Sequence, residues 1–220
     1  MARPTSLKRV ENFPEQDLSS TKDRLLQVAQ ELFAQKGFHA TSTREITRQA
    51  NTNVASLYFH WRSKENLYLA VYHRLFQRLT QMAQDVVELL EEGLRTHQSL
   101  EAVIYPVADR AFDFFDANRD LARLNLHRML EGGALAVKVE QEFENPLYQA
   151  VARVYQRLTE EKFIQVSDPE FLPFSLEILL DLYFVNPERL ERALTLSRTA
   201  LRARLRTHFR ETFIRLLAGE

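Results

Sequence analysis

The stretch Thr41-Ser42-Thr43-Arg44-Glu45-Ile46-Thr47-Arg48-Gln49-Ala50-Asn51-Thr52-Asn53-Val54-Ala55-Ser56-Leu57-Tyr58-Phe59-His60-Trp61 decides the fold. Ser42 followed three residues later by Glu45 is a capping box, so a helix starts here. It is short and buries Ile46 and Ala50 on one side. Asn51 ends it, because asparagine tolerates the left-handed conformation better than most residues other than glycine. Asn53 can then cap another helix, which buries Leu57 and cannot run far past Trp61. Two short helices separated by a tight three-residue turn have the geometry of a helix-turn-helix.

The pattern extends to both sides. Upstream, Ser20 and Asp23 open a helix whose Leu25, Ala29, Leu32 and Phe33 form one apolar stripe, and Gly37 supplies a left-handed end. Downstream, Ser63 caps a long helix carrying Leu67, Val71, Leu75, Leu79, Met82 and Val86. Further helices are expected at about 99–117, 119–131, 145–163, 169–185 and 187–217. Gly132-Gly133, Asn145-Pro146, Asp168-Pro169 and Asn186-Pro187 break them, each Asx-Pro pair suiting a cap followed by proline in the first turn. Residues 1–18 hold Pro4 and Pro14 and no apolar period, and read as a flexible arm bearing Arg3, Lys8 and Arg9.

Composition agrees. With five glycines and seven prolines in 220 residues, 45% apolar and 27% charged, the chain has too few breakers for a sheet protein. The expected fold is all-α with about nine helices. No cysteine is present, which excludes disulfides and thiolate metal sites, and the six histidines show no metal-ligand spacing. Neither a signal-like apolar segment nor a membrane-length apolar run appears, and the expectation is a cytoplasmic protein. Residues 1–64 carry ten basic and six acidic side chains, +4, so the rest carries -5 of the total -1. A basic N-terminal segment on an acidic chain is the asymmetry of a nucleic-acid-binding head. Gly-rich phosphate loops, nucleophile elbows and His-x-x-x-His pairs are absent, so no catalytic residue or cofactor is expected.

The run from Thr41 to Leu67, ending Leu57-Tyr58-Phe59-His60-Trp61-Arg62-Ser63-Lys64-Glu65-Asn66-Leu67, resembles the DNA-binding signature of the TetR family of bacterial transcriptional regulators. Ala29-Gln-Glu-Leu32-Phe33-Ala-Gln-Lys-Gly37-Phe38 is similar to its upstream half. Asn51, Thr52, Asn53, Ala55 and Trp61 depart from the family's usual residues. The resemblance implies an arm at 1–18, a helix-turn-helix DNA-binding domain at 19–65, and an effector-binding and dimerisation domain at 66–220. It assigns Tyr58, His60 and Lys64 to the phosphate backbone. Ser42 and Thr43 add hydroxyls at a helix start, where free N–H groups attract anions. For base edges the candidates are Asn53, Val54 and Ser56 on the third helix, with Arg44 on the second. Arg44 could equally meet a phosphate, and Val54 could meet a thymine methyl or be buried.

For the second domain the resemblance implies a small-molecule pocket and a dimer interface. Fifteen Phe and seven Tyr exceed what helix packing alone requires, which suggests a lipophilic or aromatic effector. The pocket candidates are Tyr105, Asp109, Phe112, His127, Tyr148 and Phe174. The dimer candidates are Leu190, Leu194, Leu201, Leu205, Phe209 and Leu216, whose spacing suits a seam. Arg198, Arg202, Arg204, Arg206 and Arg210 read as a solvated face or as partners for acids across that interface. The function implied is a repressor, a homodimer on a palindromic operator in double-stranded DNA, released by its effector. A helix-turn-helix protein of structural type, without an effector, is the alternative.

Overall fold

Capping side chains set where the N-terminal helices begin, and the computed structural model, which describes residues 20–219, shows each of them in place. The expected arm at 1–18 lies outside the described residues. Ser20 Oγ accepts from the Asp23 amide ahead of α1 (Thr21–Ala40), and Ser42 Oγ from the Glu45 amide ahead of α2 (Thr43–Gln49), both at 3.1 Å. Asn53 Oδ1 accepts from the Ser56 amide at 2.8 Å to start α3 (Val54–Trp61), and Ser63 from the Asn66 amide to start α4 (Lys64–Arg95). Asn51 takes φ 50°, as the turn demands. Beyond these lie α5 (Leu100–Ala117), α6 (Arg119–Glu131), α7 (Gly133–Val139), a π-helical turn (Glu140–Glu144) and α8 (Asn145–Glu160). Then follow α9 (Leu172–Phe184), α10 (Pro187–Leu194) and α11 (Arg198–Ala218), making eleven α-helices and no strand among the described residues.

The all-α expectation therefore holds, with two helices more than expected. The helix read at 187–217 is two: Thr195 turns left-handed at φ 53°, and Ser197 caps a new start by accepting from the Ala200 amide. The added α7 and π turn follow Gly132-Gly133 and run straight into α8, so Asn145 lies inside a helical run instead of capping one. Asp168 accepts from the Glu170 and Phe171 amides in a turn that precedes α9, which starts three residues later than expected.

The chain divides into two compact units, and the division differs from a cut at residue 65. The first runs through Arg78 and recruits Arg123–Glu144. Leu25, Ala29, Phe33, Ile46, Leu57, Leu67 and Val71 form its core, all fully or almost fully buried. Phe33, Phe38, Tyr68 and Tyr72 add ring contacts with centroids 5.0–5.9 Å apart. The distant segment is joined by both polar and ring contacts: the Glu131 carboxylate on α6 accepts from the Phe38 and His39 amides at 3.2 and 3.4 Å, and the Phe143 ring lies 5.9 Å from Phe76 and 6.1 Å from His73. Within the segment Arg128, buried, pairs with Glu140 at 2.7 Å and Glu144 at 2.5 Å. Ion pairs of this kind leave no periodic trace in a sequence.

Burial raises the Glu144 carboxyl to about 7, against the opposing charge of Arg128 and with help from Glu140. In the unfolded chain it returns toward the ordinary 4.5. The folded state thus holds the extra proton between those values, and stability falls as pH rises through that window. Replacing Glu144 by Gln should remove this slope. Urea melts at pH 5 and pH 8 are expected to show the variant gaining on the parent by roughly 2 kcal/mol at the higher pH. A difference that does not vary with pH would mean that Glu144 stays ionised throughout.

In the second unit α11 lies on α5. Leu201, Leu205, Phe209, Phe213 and Leu217 of α11 are buried at i, i+4, i+8, i+12 and i+16. Beside that stripe, Arg202, Arg206 and Arg210 pair with Asp116, Asp113 and Asp109 of α5. The repeat of about four residues on both helices puts a charge ladder along the seam. The Asp109 carboxyl is partly buried, yet hydrogen bonds from Arg210 and Arg206 hold it below the usual carboxylate range.

Candidate nucleic-acid interface and ligand cleft

Leu57 is fully buried, and the side of α3 opposite it faces water. Ala55 and Phe59, one turn apart, lie on that outer side, Phe59 83% exposed, with Tyr58 beside them at 49%. A large apolar ring left in water on an eight-residue helix contributes nothing to the unit's core. Ser42, Arg44, Arg48 and Gln49 of α2 and Arg62 after α3 are also exposed, while Thr43 and His60 are half-buried. This is a basic and aromatic surface, with the free N–H groups of the α2 and α3 starts on the same small unit.

Some expected contacts are committed elsewhere. Lys64 is half-buried, and its Nζ donates to the Phe38 and Thr41 carbonyls at 2.9 and 3.0 Å while lying 4.0 Å from the Phe38 ring centre. Burial lowers its pKa, with Glu65 and Glu131 pulling the other way. Its place is at the end of α1, where two of its three N–H donors meet open carbonyls. Lys64→Met keeps the stem over Phe38 and removes the donor. Urea unfolding followed by Trp61 fluorescence, without DNA, should show a loss of about 1–3 kcal/mol; an unchanged midpoint would return Lys64 to the surface.

Asn53 is similarly occupied. Its Oδ1 takes both the Ser56 amide and, at 3.2 Å, the Ser56 hydroxyl, so these two base candidates bind each other. Ser42 spends an acceptor as a cap but keeps its hydroxyl proton. Val54 is half-buried. Arg44 stands exposed as expected. Phe59, Arg48 and Arg62 were missed, and the signal that could have found Phe59 was its place one turn from Ala55 and opposite Leu57.

The second unit contains an open cleft of about 850 Å³, a volume that includes solvent at its mouth. Val86 and Leu90 of α4, Phe115 of α5, Val151 of α8 and Leu180 of α9 are among its walls. Of the six residues expected to line a pocket, only Tyr148 does so. Its hydroxyl donates to Glu177, and the Phe174 ring packs on it with centroids 4.4 Å apart. Phe112 is fully buried against Phe184 and Phe209. Asp109 is held by Arg206 and Arg210, and Tyr105 has the Arg210 guanidinium over its ring. His127 belongs to the first unit, beside Gly37. The cleft is built mainly from aliphatic residues, which in a sequence look like any other core.

The dimer candidates divide too. Leu201, Leu205 and Phe209 are buried within their own unit against α5, so they are corrected from an intermolecular seam to an internal one. Leu190 is half-buried, and Leu194 and Leu216 remain exposed. Among the described residues no helix is long and apolar enough to cross a membrane, and no group of three metal-ligating side chains gathers.

Comparison with known proteins bears on the first unit most directly. Residues 25–71 match the model of the bacterial regulatory proteins of the tetR family. The chain is 44% identical over 50 residues to the HTH-type transcriptional regulator QacR of Staphylococcus aureus, covering 23% of this chain and 27% of QacR. It is 29% identical over 104 residues to the HTH-type regulator YdgC of Bacillus subtilis, 47% of this chain and 52% of that protein. The matched stretches thus span about a quarter and a half of these relatives. The crystal structure of FadR from Bacillus subtilis in complex with stearoyl-CoA aligns with a TM-score of 0.60 at 14% identity, covering 88% of this chain and 97% of FadR. That likeness concerns the fold alone. The relatives bear the names of transcriptional regulators, not of enzymes. Residues 25–71 thus carry the DNA-binding signature of the tetR family of bacterial regulatory proteins, and the chain shares its overall helical fold with solved proteins of that type.

Proposed function

We propose that two copies of this chain bind a palindromic stretch of double-stranded DNA, repress transcription there, and leave it when a small apolar molecule enters the cleft. The observation that carries the reading is the outer face of α3. Tyr58 and Phe59 are exposed there and exposed Arg44, Arg48 and Arg62 flank it, the combination of charge and apolar contact that a major groove accepts. Phosphates fall to Ser42, Thr43, Tyr58 and His60, and bases to Arg44, Val54 and Phe59. A recognition helix reads one half-site, so a symmetric dimer reads a palindrome. For the second copy, α9 offers Phe174, Ile178 and Leu182 at i, i+4 and i+8, between 39% and 58% exposed, with Leu194 and Leu216 also open. The FadR complex supports the effector part, since a protein of this fold holds a ligand. Helix α4 starts beside α3 and continues into the cleft wall, so a ligand can act on the head by favouring one α4 conformation, to the extent that it binds that state more tightly.

Selection of bound sequences from a random DNA pool by the purified protein tests the central claim. Recovery of an inverted repeat is the expected result, and no enrichment at low salt, where phosphate contacts are strongest, would defeat it. A reporter behind the recovered site should fall when the protein is supplied; a rise would make the protein an activator. Arg44→Ala should relax preference at one base pair, with about 1–3 kcal/mol of discrimination lost. Equal weakening on selected and scrambled DNA would reassign Arg44 to a phosphate.

A further inference from the structure

We propose, resting on the reading of the first unit as a DNA-binding head, that Phe59 reads the C5-methyl group of a pyrimidine in the major groove. The protein then favours thymine over uracil, and 5-methylcytosine over cytosine, at that position. The side chains of α3 set this chemistry. Val54–Trp61 holds no arginine, lysine, glutamine or asparagine, so the helix lacks the long side chains that grip guanine or adenine edges at two points. Asn53, which caps it, gives its Oδ1 to the Ser56 amide and hydroxyl at 2.8 and 3.2 Å, and a two-point grip on adenine needs that oxygen. What the outer side offers instead is apolar: Ala55, exposed, and Phe59, 83% exposed.

Helix geometry directs the ring. A helical side chain leans toward the N-terminus of its helix and covers the turn before its own Cα. For Phe59 that turn carries Ala55, whose single methyl leaves the ring unobstructed. The His60 ring meets it edge-on with centroids 5.0 Å apart and still leaves it in water. The N-terminal half of a recognition helix is the part that reaches base edges, so Ala55 and the Phe59 ring present one apolar surface there. Among the groups that bases display in the major groove, the thymine methyl is the one suited to apolar contact. Uracil and cytosine lack it. Hydrogen-bonded readout is left to Arg44 on α2.

The site recovered by the DNA selection described above tests this, remade with thymine replaced by uracil at one position of each half-site in turn. Binding of the purified full-length protein is read by fluorescence anisotropy. At one symmetric pair of positions uracil should weaken binding about fifteenfold, about fourfold per half-site being the scale of one buried methyl. A cytosine–guanine pair placed there should bind more tightly, by a similar factor, once the cytosine carries its C5-methyl. Phe59→Ala, whose thermal melt should match the parent because the ring is exposed, is expected to bring both ratios within about twofold of one. A half-site without thymine, tolerance of uracil at every position, or ratios that survive Phe59→Ala would each overturn the assignment. So would a Phe59→Ala loss that is equal on methylated and unmethylated sites, which would set the ring against the sugar–phosphate backbone. Any of these results leaves the recovered palindrome and the DNA-binding reading standing, whereas failure to recover a site removes both.

Discussion

Phe112→Ala is expected to destabilise the second unit by about 3–5 kcal/mol, the cost of a fully buried phenylalanine whose surroundings cannot close over the gap. Phe112 has no exposed surface; it meets Phe184 edge-on at 5.1 Å and Phe209 at 6.4 Å, and the Arg206 guanidinium lies 4.7 Å from its ring centre. Truncation opens a hole under the α5–α11 seam and takes the ring from beneath the charge ladder. Helices α9 and α11 pack on the ring through Phe184 and Phe209. Thermal or urea melts measure the loss, and because Phe112 is not in the cleft lining, ligand affinity of the remaining folded protein should stay within about twofold of the parent, a difference of roughly 0.4 kcal/mol. A loss below about 1 kcal/mol, with altered ligand affinity, would move Phe112 back into the pocket.

Gly37→Ala is the second large effect. Gly37 sits at φ 79°, ψ 177°, a region open essentially only to glycine. A methyl group there would run into the Glu131 carboxylate and approach His127 Nδ1 to 3.0 Å. The strain and the displacement of Glu131 from the Phe38 and His39 amides should together cost about 2–4 kcal/mol. Trp61, the chain's single tryptophan, lies in the first unit and reports its unfolding. Pairing the change with Glu131→Ala separates the two causes: the double variant should lose less than the sum of the single ones, because the clash is gone and only the backbone strain remains. Strict additivity would sink the steric explanation.

Gly37 also shows how far a sequence reading reaches. A positive φ was legible from glycine closing an apolar helix, but the left-handed helical conformation expected there gave way to an extended one. Glu131, 94 positions away, supplies the reason by taking the amides that a left-handed cap would have turned back on the helix. Lys64 follows the same logic. Its residue type and position suit a phosphate, yet two unsatisfied carbonyls lie within reach inside the unit and claim it first. Asn53 and Ser56 illustrate the cost of short helices, where a side chain that starts the helix spends its acceptor on the cap and keeps only its amide donors for other contacts.

The helix-turn-helix was determined by the sequence itself, because everything that shapes it is local: caps three residues apart, an asparagine at the turn, apolar side chains one helical turn apart. The family resemblance rests on the same locality, and the position of Phe59 opposite Leu57 was a local signal too, although the sequence reading passed over it. Only the tertiary structure decided which apolar faces are consumed. Leu201, Leu205 and Phe209 repeat as an intermolecular seam would, and α5 takes them because three aspartates at matching spacing hold α11 there. The cleft comes from helices far apart in the chain. Burial is a property of pairs of helices, and a sequence records the faces without recording the partner.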